Sequence, residues 1–136
     1  TAIFLTMALS ITYATGELSK IIVNQSINKG FSPFKSTMEE FITVILIAPV
    51  LETFLFQYLP FKLTRKWMSP LLSILLCGVI FSALHTYNWF YMISAGIVGL
   101  LLGTAYYLKI DSGRAFIIVT AIHLFNNSVV FAISHI

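Results

Sequence analysis

Apolar residues run along this chain in long continuous stretches, broken at a few short polar points. Reading for apolar runs and breakers predicts five helical spans. The first covers Thr1 to about Ile27 and is interrupted by Gly16, Glu17 and Lys20, so its first half is the more lipid-compatible. A polar break follows at 28–35. The second span starts near Glu39 and reaches about Phe61, with Pro49 and Glu52 inside it. After Lys62, Arg65 and Lys66 comes a third span, about Met68 to Thr86, and a fourth from about Trp89 to Leu108. Asp111, Ser112 and Gly113 then punctuate a turn before the fifth, about Arg114 to Ile136. A bilayer core of ~30 Å needs ~20 residues of helix. Runs this long and this continuous exclude the alternating strands of an outer-membrane barrel. The predicted fold is all-α, a polytopic transmembrane helical bundle of about five spans, with 1–136 a single membrane domain.

Composition supports the pattern. Of 136 residues, 58% are hydrophobic and 10% charged, with a mean hydropathy of +0.92. A soluble domain carries about 25% charged residues to wet its surface, so a soluble enzyme, a disordered tail and a nucleic-acid partner are excluded. The net charge of +3 sits in short breaks between apolar runs and forms no basic patch. One cysteine, Cys77, allows neither a disulfide framework nor a Cys-based zinc site. The first apolar run has no basic leader or small-residue cleavage site, and a chain starting at Thr1 is expected to be a processed or trimmed piece.

Orientation is read from Lys and Arg in short loops. Lys62, Arg65, Lys66, Lys109 and Arg114 stand against Lys29 and Lys35 on the other face, which predicts cytoplasmic 62–66 and 109–114 loops. Trp67, Tyr87, Trp89, Tyr106 and Tyr107 lie near span ends, as interfacial anchors do. Ala95, Gly99 and Gly103 repeat every four residues on the fourth span, a small face suited to close helix packing.

The chemistry lies in polar residues inside the apolar runs. An ionisable residue deep in a span costs at least ~2.5 kcal/mol on insertion scales. Glu52 sits in FITVILIAPVLETFLFQYLPF, and no Lys or Arg lies inside spans two to five to pair with it. Gln57 and Thr53 are packing or supporting groups, and Thr53 can bond its own helix backbone. His85 ends span three in VIFSALHTYNW, as an interfacial residue or a catalyst. On span five His123 and Asn127 are four apart and share a face, with Asn126 the competing partner. Such amides and imidazoles also serve as interhelical glue.

As a set they say more. A carboxylate and an imidazole can together take a proton from water, while a second imidazole and an amide can donate to a developing oxyanion. That suits hydrolysis of an amide or ester within the bilayer. Glu52, His85 and His123 could instead form a catalytic zinc ligand set, although the helix-borne HExxH pattern is absent. Counting 1.5 Å per residue puts Glu52 and His123 ~12–14 Å from the cytoplasmic end but His85 ~25 Å. Span three must then tilt or begin deeper for one cavity, opening to the cytoplasmic side, to hold all four. Cys77 and His135 are expected outside it.

These strings resemble the CPBP family of intramembrane proteases (CAAX proteases and bacteriocin-processing enzymes, also called Abi). Its pattern is EExxxR on one span, FxxxH on the next and HxxxN near the end. Here they read ETFLFQ at 52–57, FSALH at 81–85 and HLFNN at 123–127. The resemblance covers about 39–136 and leaves 1–38 as a variable N-terminal span and loop. It implies a fold like the type II CAAX prenyl protease core. It also implies an endopeptidase acting on a peptide or protein substrate near the cytoplasmic membrane face, in lipid, of a bacterial cell membrane. Glu52 and His85 would activate water, and His123 and Asn127 would hold the oxyanion, with no cofactor. The zinc alternative would use Glu52, His85 and His123, but an amide such as Asn127 is a poor zinc ligand. Thr53 and Gln57 replace the second Glu and the Arg of the motif. They favour the alternative of a non-catalytic immunity or scaffold protein that keeps the fold. A small transporter is disfavoured, since no inverted repeat is evident.

Overall fold

The structure, a computed structural model, describes residues 2–23, 34–86 and 88–135, with residue 5 and residues 18–23 described by backbone alone. The polar break at 28–33, Lys29 and Tyr87 lie outside the described residues. Among the described residues five helices make up the bundle: α1 (Ala2–Val23), α2 (Thr37–Thr64), α3 (Pro70–Ala83), α4 (Trp89–Lys109, extended by a 3-10 turn Ile110–Ser112) and α5 (Ala115–Ser134). Of the five expected spans, α2, the α4 segment Trp89–Ser112 and α5 are long and apolar enough to cross a membrane. The 14 residues of α3 rise only ~21 Å, less than a ~30 Å hydrocarbon core.

Local signals set the boundaries. Ser36 caps α2 by accepting from the Glu39 N–H at 3.2 Å, and the Glu39 carboxylate accepts in return from the Lys35 N–H at 3.0 Å. Together they satisfy donors that the first turn leaves without partners. Ser69 caps α3 with Pro70 in the first turn, where its missing N–H costs nothing. Asn88 caps α4 through the Tyr91 N–H at 2.9 Å. Gly113, at φ 68°, closes the turn into α5, in the left-handed conformation that glycine adopts without penalty.

The small face of α4 packs on α3. A Cβ on Gly99 would lie 2.6 Å from the Phe81 Cβ, and one on Gly103 would lie 3.1 Å from the Cys77 Cβ. Cys77 is fully buried there, next to a core of Phe56, Phe61, Phe81, Val98, Leu102 and Val119. Tyr106, expected as an interfacial anchor, is instead buried and stacked on Phe61 at 5.4 Å. Its ring faces α2 across the bundle. Trp67, in the α2–α3 turn, is almost fully exposed.

One contact resolves the depth discrepancy. The Thr64 and Ser73 hydroxyls meet at 2.8 Å, which fixes the register of α2 against α3. Twelve residues lead back from Thr64 to Glu52, and twelve lead forward from Ser73 to His85. At 1.5 Å per residue both lie ~18 Å from that contact. The sequence estimate failed because it started α2 from Pro60 rather than Thr64 and α3 from Met68 rather than Ser73. α3 thus begins about a turn outside Thr64 rather than deeper, and the register alone brings Glu52 and His85 level without a strong tilt.

Candidate active site

The geometry of α2 begins with its two prolines. Residues Ile42–Ile47 and Phe54–Tyr58 are wound in the wider π register, and each stretch ends just before a proline, Pro49 or Pro60. Proline has no N–H and its ring collides with the carbonyl four residues back. The wider turn accommodates both. The Ala48 N–H reaches the Thr43 carbonyl and the Leu59 N–H reaches that of Phe54, each five residues back. Glu52 rides on the ordinary helical segment Ala48–Thr53 between them.

A cavity of about 320 Å³ lies among α1, α2, α3, α4 and α5, and Glu52, His85, His123, Asn126 and Asn127 all line it. Glu52 is 22% exposed, and its Oε2 lies 3.4 Å from Nε2 of His123, which is 3% exposed. A neutral imidazole carries one proton, and a carboxylate neighbour favours that proton on Nε2. The other ring nitrogen, Nδ1, is buried with no partner among the described residues. His85 lies just past the end of α3, stacked on Phe81 at 4.5 Å between ring centroids, and Phe81 in turn meets His123 at 5.6 Å. Its Nδ1 lies 2.6 Å from the Phe81 carbonyl. A carbonyl only accepts, so this contact puts the proton on Nδ1 and leaves a lone pair on Nε2. Among the described residues no direct contact joins His85 to Glu52; the imidazole touching the carboxylate is His123.

On α5, Asn127 donates from Nδ2 to the Val44 carbonyl at 3.0 Å, and Asn126 Nδ2 lies 3.5 Å from Asn127 Oδ1. The Asn126 Oδ1 is buried without a partner among the described residues. Ser94 and Thr12 also line the cavity, and beside them Thr15 of α1 donates to the Ser94 hydroxyl at 2.9 Å. Sequence reasoning missed this wall, because hydroxyls that can bond their own helix carry no distinctive spacing. Neither Cys77 nor His135 lines the cavity; His135 lies 3.7 Å from Glu40 at the end of the bundle.

The family model described as type II CAAX prenyl endopeptidase Rce1-like matches residues 35–135. The chain belongs to this family. It is thereby a member of the CPBP intramembrane proteases, as its three motifs implied. No curated protein and no solved structure matches the chain.

Within this Rce1-like chain the two departures from the family motif fall outside the cavity lining. Thr53 and Gln57 are fully buried. The Thr53 hydroxyl does not make the expected bond to its own helix, and both Gln57 amide atoms likewise lack partners among the described residues. For a zinc site of Glu52, His85 and His123, the Phe81 carbonyl takes the Nδ1 proton of His85 and leaves Nε2 able to bind a metal or a water, but among the described residues no group of three or more His, Cys, Asp or Glu is placed to share a metal ion.

The cavity extends from the level of Glu52 toward Phe34, His85 and Tyr91, the end of the bundle away from the 62–66 and 109–114 loops. Two expectations therefore exclude each other. If those basic loops are cytoplasmic, the cavity reaches toward the opposite face; if it opens to the cytoplasm, the loops do not lie there. Antiparallel packing of α2 and α5 imposes this, since Glu52–His123 and Val44–Asn127 successively approach one end.

Proposed function

We propose that this member of the Rce1-like family is an active intramembrane endopeptidase whose reaction centre is the cavity lined by Glu52, His85, His123 and Asn127. The observation that carries the reading is their convergence. Four polar side chains, picked out by three separated motifs, line one cavity of about 320 Å³ from α2, α5 and the segment just past α3. Leaving them against lipid would be costly, and interhelical glue alone would not leave Glu52 partly open or the Nε2 lone pair of His85 without a partner among the described residues.

In this reading a water molecule sits between Glu52 and His85. Glu52 takes one of its protons as the water oxygen bonds to the scissile carbonyl carbon, and His85 Nε2 accepts the other hydrogen in a hydrogen bond. Negative charge gathers on the former carbonyl oxygen. The second N–H of Asn127 and the Nε2–H of His123 donate to it. The 3.4 Å contact between His123 and Glu52 is long, so the oxyanion can take over that donor. Glu52 then delivers its proton to the amine nitrogen as the carbon–nitrogen bond breaks, which restores the carboxylate and releases both products. No metal takes part. The partners are lipid and a peptide or protein substrate cut near a membrane face.

Thr53 and Gln57 are the features that favour a non-catalytic scaffold, and their position outside the lining weakens that alternative. The test uses the full-length protein in lipid nanodiscs with two quenched-fluorescent probes, a farnesylated CAAX peptide and a transmembrane peptide. Cleavage of either probe, reduced about a hundredfold or more in His85→Ala and His123→Ala with folding intact, is the expected result. Cleavage of neither, or cleavage indifferent to both histidines, overturns the proposal.

A further inference from the structure

The bond between Asn127 and Val44 crosses from α5 to a backbone carbonyl that an ordinary helix would keep for itself. In a π register an N–H reaches five residues back, as that of Ala48, at the end of the Ile42–Ile47 stretch, does to Thr43. The next N–H in that series would belong to residue 49 and would reach Val44. Residue 49 is proline and has none. The Val44 carbonyl is thus released by the chemistry of one imino acid, and the Asn127 Nδ2 fills it at 3.0 Å.

That bond decides which way the amide faces. The oxygen and nitrogen of an asparagine side chain have nearly the same shape, and a half-turn about the last torsion exchanges them. Only the nitrogen can donate to a carbonyl, so Val44 selects one of the two orientations. The Oδ1 accordingly lies on the side of Asn126 Nδ2, at 3.5 Å. One Nδ2 hydrogen remains without a partner among the described residues, on a side chain that lines the cavity. In the flipped orientation the same place would present an oxygen, which repels a developing oxyanion.

We propose that Pro49 is a positioning residue for the Asn127 amide: by withholding a backbone N–H it hands the Val44 carbonyl to Asn127, which holds the second N–H toward the cavity. The catalytic consequence rests on the proposed function above; the clasp itself does not. Pro49 is fully buried and touches no reacting atom in this scheme, so it acts only through Asn127. Restoring an N–H at position 49 gives Val44 an internal partner and frees the amide to turn.

The test is a double-mutant cycle on the full-length protein in nanodiscs, with the farnesylated and transmembrane probes. Pro49→Ala is expected to lower kcat about tenfold, a fraction of the 10²–10³ lost with a whole oxyanion donor, and to leave KM unchanged. In the Asn127→Ala background the same substitution is expected to cost nothing further, because the residue through which it acts is gone. Effects that multiply overturn the proposal, since a merely structural role for Pro49 would be independent of Asn127. A second readout needs no activity. The sequence has five asparagines, so asparagine-selective ¹⁵N labelling gives five side-chain pairs, with that of Asn127 identified by its loss in Asn127→Ala. In the unsubstituted protein one Nδ2 hydrogen of Asn127 exchanges slowly and its twin fast, and Pro49→Ala equalises them. Equal rates before substitution overturn the clasp even if Pro49→Ala does not fold. Full activity in Glu52→Gln alongside unequal rates would instead locate the failure in the proposed function and leave the clasp standing.

Discussion

Replacing Gly99 with alanine tests the packing that carries the site. The added Cβ would stand 2.6 Å from the Phe81 Cβ, 3.1 Å from its Cγ and 3.2 Å from the Gly78 Cα. None of these is the free end of a flexible side chain, so α3 and α4 must separate. Overpacking of this kind costs ~1–3 kcal/mol, and alanine in place of a helical glycine returns ~0.5–1 kcal/mol. The net loss expected is ~1–2 kcal/mol. Gly103→Ala meets the Cys77 Cβ at 3.1 Å, a contact that a few tenths of an ångström relieve, and should come out near neutral. Gly16→Ala, with nothing within 4 Å among the described residues, should gain ~0.5–1 kcal/mol. Reversible unfolding in mixed micelles, followed by tryptophan fluorescence, measures all three. Because Phe81 stacks on His85 and touches His123, Gly99→Ala should also slow cleavage beyond its effect on stability. A Gly99→Ala protein as stable as the parent, or an order other than Gly16, Gly103, Gly99, would refute this account of the α3–α4 interface.

Chelators should leave cleavage of either probe unchanged; inhibition reversed by zinc would keep the protease but overturn the water activation by Glu52 and His85 alone. Single cysteines at positions 66 and 111 in a Cys77→Ala background should label with an impermeant maleimide from one face of the membrane, and at positions 35 and 88 from the other. Labelling of all four from one face would contradict the bundle, and the face that labels 35 and 88 is the one toward which the cavity extends. Thr53→Val should retain activity within a fewfold and gain stability, because it removes a buried hydroxyl that lacks a partner among the described residues.

The number of helices, their approximate limits and the small-residue face of α4 were legible in the sequence because apolar run length and small-residue spacing are properties of the chain alone. So were Glu52, His85, His123 and Asn127 as an inward-facing group, since lipid penalises each of them whatever the packing. The registration of α2 on α3 was not legible. It depends on Thr64 meeting Ser73, a contact between two common residues that no spacing rule singles out. The pairing of Glu52 with His123 depends instead on how α2 packs against α5, which no spacing within either helix reveals. Pro49 and Pro60 were visible, but their consequence, a π stretch before each and a free Val44 carbonyl, required the hydrogen-bond register of α2. Tyr106 misled because an aromatic ring near a span end marks an interface only when no neighbouring helix covers it.

The central claim is that the Glu52 carboxylate moves the proton of the attacking water. Glu52→Gln preserves the shape of the side chain, removes the base and lowers the cost of holding the residue in the bilayer. The deciding measurement is the initial rate of probe cleavage by full-length Glu52→Gln in nanodiscs, with its unfolding transition recorded on the same sample. The account predicts no detectable cleavage from a protein at least as stable as the parent. Cleavage at the parent rate would contradict it.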